Sequence, residues 1–217
     1  MPRPEAAPLE SGRRSAASRL DAAQRAADTL LIVLSTPLWL PVLVAALLST
    51  HVAGCRPLLF RQTRMGRHCR PFTILKIRTM RDGPAPAGAL FAGWTYANDP
   101  RVTPAGAFLR RYRLDELPQF WNVLRGDMSL VGPRPEPIDI ARRLGAELAG
   151  YHARHAVRPG LTGLCQISSV YRDFGTIEKS ALKLQFDLEY VRTRSLRLYG
   201  RILLQTLQVL RHGEGMA

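Results

Sequence analysis

From Thr29 to Ala53 the chain carries no Asp, Glu, Lys or Arg. A run of about 20 apolar residues is enough for a helix to cross a bilayer, so this stretch must be buried in lipid or in protein. Three arrangements suit it: a straight transmembrane helix, a signal peptide, or a helix that enters the membrane, bends and leaves on the same side. Val52-Ala53-Gly54-Cys55 resembles a lipoprotein cleavage box. The apolar region, however, is about twice the usual 7–15 residues of a signal peptide and starts deep in the chain. Pro37 and Pro41 each remove a helix hydrogen bond and crowd the preceding turn, which predicts a kink. Ser35 and Thr36 stand ready to satisfy the backbone groups so freed. Arginines lie on both sides, at 13, 14, 19 and 25 before the run and at 56, 61, 64, 67 and 70 after it. A straight span cannot keep both basic flanks on the cytoplasmic side, whereas a re-entrant hairpin over residues 19–54 does. On these residues alone, the span and the hairpin both stand.

Around this stretch the chain divides into three parts. Residues 1–18, rich in Pro, Ala, Arg and Ser, read as a disordered cytosolic tail with a helix starting near Ser18. Residues 55–217 have the texture of a small catalytic domain of α/β class, mostly helical with short strands. Leu58–Phe60 and Phe72–Leu75 read as strands flanking the turn Met65–His68. Helices are expected at Gly106–Tyr112, Glu116–Leu124, Ile138–Glu147, Ile177–Val191 and Ser195–Arg211. In the last, Tyr199, Ile202, Leu203, Leu207 and Leu210 form one apolar stripe flanked by arginines, suited to a core or to a membrane interface. Asp82–Asp99 reads as a loop, either a lid or an idle insertion.

Lys and Arg outnumber Asp and Glu by 31 to 17, a formal charge of +14. That balance calls for a polyanionic partner: nucleic acid, an anionic phospholipid membrane or phosphorylated small molecules. No zinc-finger spacing, RNA-binding aromatic motif or helix-turn-helix pattern accompanies the charge, which argues against nucleic acid. The three cysteines, Cys55, Cys69 and Cys165, have no paired spacing and none stands near a His in ligand-like spacing, so they read as buried or indifferent thiols.

The candidate chemistry centres on Asp115-Glu116, which follow Arg110, Arg111 and Arg113. Adjacent carboxylates cannot face each other as an acid/base pair, but they can divide labour. Asp115 is expected to cap the following helix and, beside Arg110, to stay ionised. It is then a usable nucleophile toward phosphorus. Glu116 could hold a Mg²⁺ that bridges it to a diphosphate. The bland alternative is a helix cap beside a surface carboxylate. Arg134, between Pro133 and Pro135, and Arg158, before Pro159-Gly160, sit in stiff turns that hold a guanidinium with little entropy left to lose on binding phosphate. Asp187 is polar amid apolar neighbours and suits either orienting an arginine or touching substrate. His152 and His155 could act as bases, but surface positions or satisfied contacts are commoner.

Leu114-Asp115-Glu116-Leu117-Pro118-Gln119, followed by Gly126-Asp127-Met128-Ser129-Leu130-Val131-Gly132-Pro133-Arg134-Pro135, resembles the signature of the bacterial sugar transferases. These are small monotopic phosphoglycosyl transferases acting on polyprenyl phosphate. The likeness extends to Phe60-Arg61-Gln62, Phe72–Met80, Asp99–Thr103 and Val157–Gly163, and covers about Arg25 to Arg211. It implies a re-entrant membrane helix, a catalytic face on the cytoplasmic side of the bacterial inner membrane, and interfacial amphipathic helices. It further implies transfer of a sugar-1-phosphate from a UDP-sugar donor to a polyprenyl (undecaprenyl) phosphate acceptor, releasing UMP and initiating a glycan. By the same likeness Asp115 is the nucleophile that carries the phosphosugar and Glu116 matches the Mg²⁺ position. Lys76, Arg78, Arg110, Arg134 and Arg158 fall on basic positions that grip phosphates, and Asp187 on a late acidic position. The bend is implied at Pro41, where the family commonly has Ser-Pro; here Leu40 precedes it, and Ser35-Thr36-Pro37 lies one turn earlier. Where the family often has Gly-Trp-Ala-Gln and then Asn-Gly-Arg, this chain has Gly163-Leu164-Cys165-Gln166 and then Ser168-Ser169-Val170, which points to an unusual donor if the region lines the donor pocket. The rival expectation is a non-catalytic, basic, membrane-associated module that binds nucleic acid or a partner. A further one is a metal-dependent phosphohydrolase. The residues leave open whether the chain forms a homodimer.

Overall fold

The computed structural model describes residues 7–83, 99–168 and 177–211, so the expected lid within Asp82–Asp99 and the Ser169-Val170 departure fall largely outside the described residues. Helix α1 spans Ala7–Leu34 and α2 spans Thr36–Val52. The first therefore begins at Ala7, well before Ser18, and residues 7–18 are helical rather than an unstructured tail. No single described helix is long and apolar enough to cross a membrane, but α1 and α2 together pass that test as a pair bent by 67°.

The bend sits at Ser35, with Pro37 in the first turn of α2. Side-chain donors gather on the carbonyls just before it. The Ser35 hydroxyl donates to the Leu31 carbonyl at 2.6 Å, which also keeps the Ser35 N–H at 3.0 Å, and the Ile32 carbonyl accepts from the Thr36 hydroxyl and the Trp39 indole N–H, each at 3.0 Å. Backbone groups at the bend thus find local partners, as an apolar environment requires. Pro41, the position implied by family spacing, lies inside α2, which runs on through it. One break suffices, and it falls where the hydroxyls are. Beyond it one side of α2 packs through Leu43, Ala46 and Leu47, and the rest is exposed and apolar, with Leu38 76% and Val52 86% exposed.

The polar side of α1, by contrast, is stitched into the domain that follows. Gln24 donates to the Ser129 hydroxyl and the Val131 carbonyl at 2.8 and 2.9 Å. Asp28, wholly buried, accepts from the Leu130 N–H at 3.0 Å and the Tyr199 hydroxyl at 2.8 Å. Arg25 reaches the Val123 and Leu124 carbonyls, and Asp21 pairs with Arg67 and Arg194. These charges, hard to place beside an apolar run, are what fastens the bent pair to the rest of the chain.

Strands β1 (Leu59–Met65) and β2 (Pro71–Ile77) form an antiparallel hairpin, with Arg61 opposite Leu75 and Phe60 opposite Lys76. Helix α3 (Pro104–Arg111) starts on Thr103, whose hydroxyl accepts from the Gly106 N–H at 2.9 Å, with Pro104 in the first turn. Helix α4 (Gln119–Arg125) packs on the open edge of β2. There Asn122, fully buried, imitates a neighbouring strand: its amide donates to the Thr73 carbonyl at 2.7 Å and accepts from the Leu75 N–H at 3.1 Å.

Strand β3 (Ser129–Val131) pairs in parallel with β4 (Gly160–Thr162), so part of what the sequence presents as a stiff loop is a short buried strand. The two loops leading off this pair touch backbone to backbone. A Cβ on Gly160 would lie 2.0 Å from the Gly132 nitrogen, and one on Gly132 would lie 2.4 Å from the Arg158 carbonyl oxygen. Only glycine fits at either place. Helices α5 (Ile138–Glu147), α6 (Ile177–Thr193) and α7 (Leu196–Arg211) complete the described elements. The main core joins Ile32 of α1, Ile74 of β2, Val123 of α4, Val131 of β3, Tyr190 of α6 and Ile202 of α7.

Candidate active site

Arg113 ends the turn after α3 in the left-handed backbone region, at φ 55°. That reversal throws Leu114–Glu116 into a single 3-10 turn rather than the start of a longer helix. Pro118, not Asp115, occupies the cap position of α4, which corrects the expected N-cap. Because Asp115 does not lead a helix, no helix end holds it ionised. Both carboxylates are instead buried, at 8% and 6% exposure.

Their surroundings push them apart. The Glu116 Oε1 accepts from Lys76 Nζ at 2.8 Å and from Arg134 Nη2 at 3.0 Å, while its Oε2 lies 3.8 Å from Arg113. Burial opposes ionisation of Glu116, yet Lys76, Arg134 and Arg113 together hold its carboxyl well below the usual carboxylate range. Among the described residues Asp115 forms no such direct ion pair. Burial raises its carboxyl above the ordinary value, Glu116 adds to the rise, and the charges of Lys76, Arg110 and Arg134 oppose it. Two neighbours of one chemical type therefore differ in kind: Glu116 is a pinned anion and Asp115 a comparably buried but less acidic carboxyl.

Each cation is delivered by a different element. Lys76 comes from β2, opposite Phe60 and one residue from the Leu75 that Asn122 holds. Arg110 comes from the last turn of α3, its Nε donating to the Thr79 hydroxyl at 2.7 Å, and its charge acts on Asp115. Arg134 comes from the stiff Pro133-Arg134-Pro135 turn, whose backbone is held because Arg154 donates to the Arg134 carbonyl at 2.7 Å.

Arg78, Arg158 and Asp187 are not brought to the carboxylates. Arg78 pairs with Asp82 and donates to the Pro57 carbonyl. Arg158 lies in a separate cleft with Asp21, Arg25 and Arg67, its Nε donating to the Gly126 carbonyl at 3.2 Å. Asp187 is held in a buried ion pair with Arg154 at 2.7 Å, a contact of the arginine-orienting kind expected of it. Sequence reasoning missed Arg154. It lies between two histidines in a short helical run, and nothing local marks it as the residue that ties Asp187 to the Arg134 turn. Arg113 was visible as a charge but not as a partner of Glu116.

The comparisons with known proteins bear on the family. A family model described as bacterial sugar transferase matches residues 19–213. A UDP-glucose:undecaprenyl-phosphate glucose-1-phosphate transferase of Caulobacter vibrioides is 41% identical over 88% of this chain and 70% of its own length. An Escherichia coli protein of the same name is 41% identical over 78% of this chain, but that match spans 36% of the relative. An exopolysaccharide production protein of Rhizobium leguminosarum is 39% identical over 79% of this chain and 86% of its own length. Nothing among these relatives supports the non-catalytic, nucleic-acid-binding expectation. The match over residues 19–213, with relatives about 40% identical along most of this chain, places the protein in the bacterial sugar transferase family.

Proposed function

We propose that this chain transfers a sugar-1-phosphate from a UDP-sugar to undecaprenyl phosphate at the cytoplasmic face of the bacterial inner membrane. The observation that carries the reading is the split between Asp115 and Glu116 beneath Lys76, Arg110 and Arg134. A poorly solvated carboxylate is a better nucleophile than a fully hydrated one, and adjacent cations favour attack on a dianionic diphosphate.

In this mechanism an Asp115 oxygen attacks the sugar-linked phosphorus and forms an Asp–O–P bond. The bond from that phosphorus to the bridging oxygen breaks, and UMP leaves with the electron pair. An oxygen of undecaprenyl phosphate then attacks the same phosphorus, restoring the Asp115 carboxylate and giving the diphosphate-linked lipid sugar. Lys76 and Arg134, already drawn together by Glu116, hold phosphate oxygens in place. Arg110 offsets charge beside the nucleophile. Glu116 also fits a Mg²⁺: it is a hard, ionised ligand, and its Oε2 has only a 3.8 Å partner, so that oxygen can be offered to the metal. When bound there, Mg²⁺ would neutralise diphosphate charge and favour departure of UMP. The exposed apolar residues of α2, and Leu204 and Leu207 exposed on α7, give the chain apolar surface suited to the lipid in which the acceptor resides.

The test is UMP release across a panel of UDP-sugars with undecaprenyl phosphate and Mg²⁺. Asp115→Asn is expected to lower turnover by at least about 1,000-fold, as loss of a covalent nucleophile does. Near-normal UMP release by that variant would remove Asp115 from the chemistry. Without lipid acceptor at most one UMP per chain is expected, from the first half-reaction; sustained turnover without it would instead favour a hydrolase.

A further inference from the structure

Three side chains meet that the transferase chemistry does not use. Cys69 Sγ lies 3.7 Å from His152 Nδ1 and 3.6 Å from His155 Nδ1, and the ligand atoms of all three fall within 4.8 Å of one another. They come from two separate segments: the turn between β1 and β2, and the 3-10 run Tyr151–Ala156.

The distances carry information. Around a tetrahedral ion with a Zn–S bond of about 2.3 Å and Zn–N bonds of about 2.0–2.1 Å, a sulfur and a nitrogen ligand sit about 3.6 Å apart. Both sulfur–nitrogen separations match that edge.

The surroundings are built to hold this arrangement. His68 and Cys69 are consecutive non-glycine residues in the left-handed backbone region, at φ 54° and 57°. Such conformations cost energy and persist where the surroundings impose them. His152 is lodged against α5, where a Cβ on Gly145 would come within 2.5 Å of its Nε2, leaving Nδ1 to face the thiol. Tyr151 packs edge-on against both imidazoles, with ring centroids 5.6 Å away in each case. His155 is buried, whereas Cys69 and His152 reach the surface, so a fourth position is open to water.

We propose that Cys69, His152 and His155 form a site for one zinc-class divalent ion, with water as the fourth ligand. One sulfur and two imidazole nitrogens suit Zn²⁺ and are poor partners for Mg²⁺, which separates this site chemically from Glu116. On binding, the Cys69 thiol gives its proton to solvent, one Zn–S and two Zn–N bonds form, and the ion sheds hydration water while keeping one molecule. The ion clips the β1–β2 turn to the segment that carries Arg154, which holds the Arg134 carbonyl. Its role is positional. The plainer account is a thiol hydrogen-bonded between two imidazoles, which needs no metal.

The full chain, purified without a polyhistidine tag in detergent and stripped with a chelator, is titrated with Co²⁺ and then Zn²⁺. The expected result is a thiolate-to-cobalt charge-transfer band and the strong visible bands of a tetrahedral site, saturating at one cobalt per chain and bleached by Zn²⁺. Cys69→Ser, which keeps Cys55 and Cys165, loses the charge-transfer band, and His152→Ala loses the tetrahedral bands. Zn²⁺ raises the thermal midpoint of the natural chain but not of Cys69→Ser. Absence of the bands in the natural chain, or their persistence in Cys69→Ser, overturns the site. Because neither reading involves turnover, failure here leaves the transferase proposal standing.

Discussion

At the residue scale, the distinction between Asp115 and Glu116 rests on who touches each of them. Glu116 gathers Lys76 and Arg134 within hydrogen-bonding distance, while Asp115 feels its cations only at longer range. Two predictions follow from that difference. Glu116→Gln removes the charge that the half-buried Lys76 and Arg134 share, so it should destabilise the fold by about 2 kcal/mol as well as depress turnover. An unchanged thermal midpoint would show that the cations find other partners. The second concerns pH. Catalysis requires ionised Asp115, and burial raises its carboxyl above the ordinary 3.8, so the acid limb of kcat/KM should have its midpoint above 3.8. A limb at or below that value would contradict the burial argument. Stability should respond with the opposite sign at Glu116. Its folded-state value lies below the ordinary 4.5, so its ion pairs contribute fully above 4.5 and are lost as pH falls toward that lower value.

At the scale of elements, the hairpin β1–β2 has a free edge that a single side chain closes. Asn122 presents to β2 the donor and acceptor that a third strand would supply, and so fixes α4 beside Lys76. Asn122→Ala takes the side-chain partner from the part-buried Thr73 carbonyl and Leu75 N–H. A loss of about 1–3 kcal/mol is expected, from the hydrogen bonds given up and their incomplete replacement by water. Thermal unfolding in detergent would measure it, and a shift too small to resolve would mean that water replaces the amide. The helix boundaries, read from apolar spacing, stand close to those observed: Ile138–Glu147 agrees at both ends, and the last two helices agree to within two residues. The segment around Asp115 does not. Its apolar spacing continues through Leu117, Phe120, Trp121 and Leu124, but left-handed Arg113 and the following proline divide it into a 3-10 turn and a shorter helix. Periodicity registers which side of a segment is apolar and is blind to one residue of reversed backbone.

For the whole molecule, the bent pair α1–α2 is both an apolar surface and a structural member of the domain. Asp21, Gln24, Arg25 and Asp28 bind α1 to β3, α4, α6 and α7. That attachment keeps the end of α1 beside the catalytic domain. The start of β1 holds the far end of α2 there too, so both flanks should lie on one side of a membrane. Single cysteines introduced at Ser18 and at Arg61, in a background lacking the natural thiols, should resist a membrane-impermeant maleimide applied from the periplasmic side. Labelling at either position would mean a straight span.

What the sequence determined by itself is the local and the covalent: an apolar run interrupted by prolines, adjacent carboxylates, rigid Pro-Arg-Pro and Arg-Pro-Gly turns, and the amphipathic helices. These are properties of neighbours along the chain, set by missing N–H groups, side-chain type and periodicity. Only the tertiary structure decided which cations reach Glu116, that Asp187 serves Arg154, that Arg158 stands in a different cleft, and that Cys69 meets two histidines. The physical reason is that burial and electrostatic pairing depend on distances between residues remote in sequence, and no spacing rule along the chain encodes those distances.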